Sequence, residues 1–200
     1  MNNTPSLIGP EFGPANTSGN VEQLIILLHG LGANGFDLIN LAPHFSEVMP
    51  NARFISPNAP ENCDMTPVGN QLSYQWFSLQ SRREPDMLAG AKVAEPILNK
   101  FIDEQLKKYN LKDDKLALIG FSQGTMMSLF VAMRRKTSIA GVIGFSGQLV
   151  GKEELENEII SHPPTILVNG DQDELIPIQE QEIAIQKLLA AGVEAEGHIR

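Results

Sequence analysis

Cysteine is almost missing from this 200-residue chain: Cys63 stands alone, so no internal disulfide can form. That excludes a small scaffold stapled by disulfides. Positive charge is scarce as well. Fifteen Lys and Arg face 24 Asp and Glu, a net charge of −9, which argues against a nucleic-acid-binding surface and disfavours an anionic membrane surface. No apolar run reaches the length of a membrane span, so no integral membrane association is expected. The N-terminus, Met1-Asn2-Asn3-Thr4-Pro5, lacks a basic stretch followed by an apolar one. A cytoplasmic location is the resulting expectation. There is no phosphate-binding Gly-Lys-Ser/Thr element and no clustered His/Cys set for zinc, so no cofactor or metal is signalled.

What is present is the composition of a globular protein, 42% hydrophobic and 20% charged, long enough for one domain over residues 1–200. Apolar runs of β type alternate with amphipathic patterns. Strands are expected at 24–28, 53–56, 115–119, 139–145 and 165–168, with a last, more exposed one at 193–199. Helices are expected at 35–48, with Pro43 disturbing the interior, at 86–109, with Pro96 kinking or splitting it, at 122–135 and at 177–191. Residues 1–20, rich in Gly, Pro and Asn from residue 6 onward, suit an edge strand and a loop. The alternation predicts an α/β fold with a mainly parallel sheet and helices on both faces.

Three segments that follow predicted strands bear chemistry. The strongest is Gly120-Phe121-Ser122-Gln123-Gly124, between an apolar strand and a Met-rich helix. Gly-x-Ser-x-Gly in that setting is a nucleophile elbow. The turn is tight enough that side chains flanking Ser122 must nearly vanish, and the helix that follows aims its first N–H groups at developing negative charge. The second segment is His29-Gly30-Leu31-Gly32, whose glycines let the backbone turn and present N–H groups. With the residue after the nucleophile, it can form an oxyanion hole, which makes the backbone N–H groups of Leu31 and Gln123 the candidate donors. The third is Gly170-Asp171-Gln172-Asp173-Glu174-Leu175-Ile176-Pro177. Either Asp171 or Asp173 can orient a histidine, and the order Ser, then acid, then His suits this fold. Glu174 is expected to cap the next helix instead.

Together these three segments resemble the bacterial carboxylesterase/phospholipase family, which includes the acyl-protein thioesterases. Pro57-Asn58-Ala59-Pro60 and Tyr74-Gln75-Trp76-Phe77 add to the likeness. The resemblance implies a compact α/β-hydrolase without a large lid domain. It implies Asp173 as the acid and hydrolysis of carboxylic esters or thioesters with short to medium acyl groups, on a small-molecule or acylated substrate. It also places the Trp76 stretch near an acyl site, although an aromatic anchor for a long loop is the plainer reading. Met126 and Met127 are expected in the core.

The base is the gap. Of His29, His44, His162 and His198, only His198 follows Asp173, and it falls inside the last predicted strand. The resemblance implies a histidine on a Gly-containing loop after that strand, and then a final helix. The chain stops at Arg200, where that loop is expected to begin, so the C-terminal loop and helix are expected to be absent. Two readings stay open: the base lies beyond Arg200, or it is His198. Loss of the base can cost about 10⁶ in kcat. The leading expectation is a serine esterase acting through an acyl-enzyme on Ser122. The alternatives are a base-less acyl-binding or interaction protein on the same scaffold, and another hydrolase of this fold.

Overall fold

The computed structural model describes residues 6–16, 18–66 and 72–200. In chain order the elements are β1 (Glu11–Phe12), β2 (Gln23–Leu28), α1 (Gly35–Ile39), α2 (Ala42–Ser46), β3 (Ala52–Ile55), β4 (Glu61–Asn62), β5 (Tyr74–Gln75), α3 (Glu84–Tyr109), β6 (Leu116–Phe121), α4 (Gln123–Ala132), β7 (Gly141–Phe145), α5 (Leu155–Glu158), β8 (Thr165–Asn169), α6 (Ile178–Ala190) and β9 (Ala195–Ile199). Among the described residues, seven strands form one sheet in the order β1-β3-β2-β6-β7-β8-β9. Only β1 runs antiparallel, on the edge beside β3. The other neighbours are parallel, in registers such as Leu28 opposite Gly120 and Phe121 opposite Phe145.

The apolar run at 24–28 explains the position of β2. A strand without polar alternation needs cover on both faces, and β2 lies between β3 and β6 with Leu24 and Ile26 to Leu28 fully buried. One face packs on α3, α4 and α6. The α3 stripe of Met87, Ala91, Ala94, Leu98, Phe101, Ile102 and Leu106 sits there at helical spacing. The other face packs Ile39 and Ala42 against Ile25, Leu27, Phe54 and Ile119. The α4 helix is buried along its whole length, as expected of a helix apolar all round.

The disturbance expected at Pro43 is found, and the split expected at Pro96 is not. The stretch 35–48 divides into α1 and α2, and Pro43 stands in the first turn of the second, where a missing N–H costs nothing. Pro96, expected to kink or split its helix, does not interrupt the 26-residue α3. It lies on the exposed side, where water can take the Lys92 carbonyl that proline leaves without a donor. Among the described residues, no helix is long and apolar enough to cross a membrane.

Candidate active site

The C-terminal ends of β2, β6, β7 and β8 converge on one cavity of about 270 Å³. In parallel α/β sheets this end collects ligands. Ser122, Leu31 and Asp173 all line the cavity, although they come from three separate stretches of chain.

Ser122 joins β6 to α4 at φ 51° and ψ −115°. A non-glycine residue holds that conformation only when its surroundings impose it. They do so here. The Ser122 N–H donates to the Phe145 carbonyl at 2.8 Å, and its own carbonyl accepts from Thr125 N–H at 2.9 Å. The flanking glycines are sterically required. A Cβ on Gly124 would sit 1.8 Å from the Leu28 carbonyl oxygen, and one on Gly120 would sit 2.4 Å from the Thr125 nitrogen. The helix therefore starts hard against the end of β2.

The loop after β2 approaches the serine closely. A Cβ on Gly30 would lie 3.3 Å from the Ser122 Cβ. Among the described residues, neither the Leu31 nor the Gln123 backbone N–H donates to a protein acceptor. Leu31 belongs to the cavity lining, whereas Gln123 is fully buried and does not. His29 is fully buried below this loop. Its Nδ1–H donates to the Gly30 carbonyl at 2.8 Å and its Nε2 accepts from the Ala59 N–H at 3.0 Å. That pair of bonds requires the neutral ring, and burial holds its pKa below the ordinary histidine value.

The two aspartates separate. Asp173 lines the cavity and Asp171 does not. Asp173 Oδ1 accepts from the N–H groups of Leu175 and Ile176, both at 3.0 Å. The Ile176 bond, with the Ser146 hydroxyl and the Leu175 N–H adding to it, lowers the carboxyl pKa and keeps it ionised. Glu174, expected to cap α6, does not: the helix starts at Ile178, Pro177 is its N-cap, and no side chain caps it. The short Asp173 side chain takes the N–H groups of its own loop instead.

Among the described residues, no histidine lines the cavity. His44 is exposed on α2, and His162 packs beside Gly192, ahead of β9. His198 stands on β9 opposite Val168, with Nε2 3.4 Å from Glu196 Oε2.

The remaining lining was not legible from motifs. Leu79, Met87, Met126, Leu175 and Ile176 supply an apolar wall, and Ser146, Gln148 and Arg82 a polar part. Met126, expected only in the core, is 3% exposed and also forms part of that wall, because the first turn of α4 faces the cavity. Trp76 is 1% exposed and absent from the lining. It is the anchor of its loop, with Nε1–H donating to the His29 carbonyl at 3.0 Å. Ser146, at φ 45°, carried no motif signal beyond standing after a strand.

A model of the phospholipase/carboxylesterase family matches residues 15–199. Acyl-protein thioesterase 1 of Aspergillus fumigatus is 28% identical over 190 residues, covering 85% of this chain and 75% of the relative. Esterase YpfH of Escherichia coli is 29% identical over 172 residues, covering 86% and 70%. Among solved structures, esterase PE8 superimposes with a TM-score of 0.91 at 38% identity, covering 98% of this chain and 89% of its own. The carboxylesterase of Bacillus cereus, at 19% identity and a TM-score of 0.72, shares the fold.

Proposed function

We propose, from the premise that this chain belongs to the phospholipase/carboxylesterase family of serine hydrolases, that it hydrolyses esters or thioesters of short to medium acyl groups through an acyl-enzyme on Ser122. One observation carries the reading. Ser122, held at φ 51° on a strand-to-helix turn, opens into the same cavity as Leu31 and Asp173.

In the proposed reaction Ser122 Oγ attacks the acyl carbonyl. The carbonyl oxygen becomes an oxyanion, held by the Leu31 and Gln123 N–H groups. The serine proton passes to a histidine oriented by Asp173, and this histidine then protonates the leaving group. Water releases the acid by the same steps in reverse. His198 is the one histidine of the sequence that follows Asp173. The volume supports the acyl length. About 270 Å³ is near the lower end of ligand pockets, and its wall is largely apolar.

Hydrolysis of 4-nitrophenyl butyrate tests the proposal, with Ser122→Ala, Asp173→Asn and His198→Ala measured beside the unmodified chain. Turnover that falls by about 10³-fold or more in Ser122→Ala and Asp173→Asn supports it. Turnover that also needs His198 makes that residue the base. Turnover retained in His198→Ala places the base elsewhere. A rate no higher than that of Ser122→Ala, with no labelling of Ser122 by a fluorophosphonate, favours an acyl-binding protein on the same scaffold.

A further inference from the structure

The two candidate oxyanion donors belong to different elements. Leu31 lies beyond the last ladder pair of β2, and Gln123 is the first residue of α4. Among the described residues, no hydrogen bond joins residues 30–33 directly to residues 121–124. Both are instead tied to a third piece of chain, residues 73–77. On the loop side, Gly32 N–H donates to the Tyr74 carbonyl at 2.8 Å, and Tyr74 N–H donates to the Ala33 carbonyl at 2.9 Å. The Ser73 hydroxyl donates to the Gly32 carbonyl at 2.8 Å, and the Trp76 indole N–H to the His29 carbonyl at 3.0 Å. On the elbow side, the fully buried Gln123 amide makes two bonds to successive residues. Its Oε1 accepts from Trp76 N–H at 2.9 Å, and its Nε2 donates to the Phe77 carbonyl at 2.7 Å.

We propose that residues 73–77 are a strap that sets the spacing of the two oxyanion donors, with the Gln123 side chain as its pin and Trp76 as its brace. The inference rests on the serine-esterase reading for its catalytic consequence. Gln123 thereby has two separate duties: its backbone N–H faces the oxyanion, and its side chain holds the chain that holds the other donor. A side chain with only one polar character cannot replace it, because the site needs an acceptor and a donor side by side. Both bonds are buried, so water cannot substitute for a lost one. The loop has a second tether at the Ala59–His29 bond. Release of the pin therefore loosens the loop without detaching it. Misplacement of an oxyanion donor by a fraction of an ångström to 1 Å lowers the chemical step by about 10- to 100-fold. Gln123 and Trp76 are positioning residues in this scheme, since neither side chain lines the cavity.

Backbone hydrogen exchange and steady-state kinetics of Gln123→Glu, Gln123→Met and Trp76→Phe test the strap. Trp76→Phe removes the indole donor and keeps most of the bulk, so it reports even if both Gln123 variants fail to fold. The expected result is faster exchange of the Gly32 amide, by tenfold or more, in variants of Gln123, a residue that makes no hydrogen bond to that loop. Kinetically, kcat on 4-nitrophenyl butyrate falls about 10- to 100-fold with KM within twofold. Faster exchange confined to residues 75–78, or for Trp76→Phe an unchanged Gly32 amide, overturns the strap. So does a raised KM at unchanged kcat, which would make residues 73–77 a pocket wall only. If the unmodified chain shows no turnover above Ser122→Ala, the esterase reading fails, and the exchange result still decides the coupling.

Discussion

Replacing Gly124 by alanine tests the elbow geometry most directly. A Cβ at this position lies 1.8 Å from the Leu28 carbonyl oxygen, 2.4 Å from its carbon and 2.8 Å from the His29 oxygen. All three are backbone atoms of a buried strand end, so none can swing aside. To reach an ordinary contact of 3.4 Å, α4 and β2 must separate by about 1.6 Å. Overpacking of this kind costs about 1–3 kcal/mol. The helix preference of alanine over glycine returns at most ~1 kcal/mol. The net loss is about 0–3 kcal/mol, which lowers Tm by up to roughly 6–12 °C for a chain of this size. Activity should suffer more. The separation moves the Gln123 N–H away from the Leu31 N–H, and a 1 Å misplacement costs about 10²-fold. Circular dichroism melts and 4-nitrophenyl butyrate turnover measure the two effects. Gly170→Ala is the thermal control, because its Cβ would meet nothing nearer than 3.8 Å. A Gly124→Ala protein that melts within a degree of the unmodified chain and turns over within twofold of it would refute this account of the elbow.

Two further outcomes follow from the site. Ser122→Gly removes the nucleophile and also the cost of φ 51°; unfolding in urea should show it about 1 kcal/mol more stable and inactive. His29 gives a pH signature. Its folded pKa lies below the unfolded value of about 6.5, so the unfolded chain binds the extra proton first. The stability it contributes is present above pH ~6.5 and falls as pH drops toward the folded pKa. His29→Gln can still donate and accept but does not titrate. The stability gap between the unmodified chain and this variant should narrow between pH 7 and 5 in urea titrations, and a gap constant with pH would contradict the buried neutral ring.

The site was unevenly legible because its parts carry different kinds of signal. Ser122, Leu31 and Gln123 stand in short Gly-rich turns directly after apolar runs, and both the turn and the run are local properties. Asp171 and Asp173 were indistinguishable as local chemistry. Their difference is which one reaches the cavity, and that depends on the loop N–H groups that hold Asp173. Leu79, Arg82, Met87 and Ser146 have no motif, and they meet only because packing brings the start of α3 and the segment before it beside the end of β7. Pro96 does not split α3 because the cost of a helical proline depends on whether the freed carbonyl meets water, which the chain alone does not show.

The short β4, β5 and α5 left no pattern in the chain, whereas the order of the main strands and helices, the parallel sheet and the tight turn at Ser122 did. The latter follow from hydrophobic period and from glycine, which act over a few residues. Packing alone settled that Gln123 binds Trp76 and Phe77, that His29 is locked neutral, and that, among the described residues, no imidazole shares the cavity with Ser122 and Asp173. Each of those depends on groups tens of residues apart in the chain. Burial makes such a hydrogen bond obligatory, but the partner is chosen by packing.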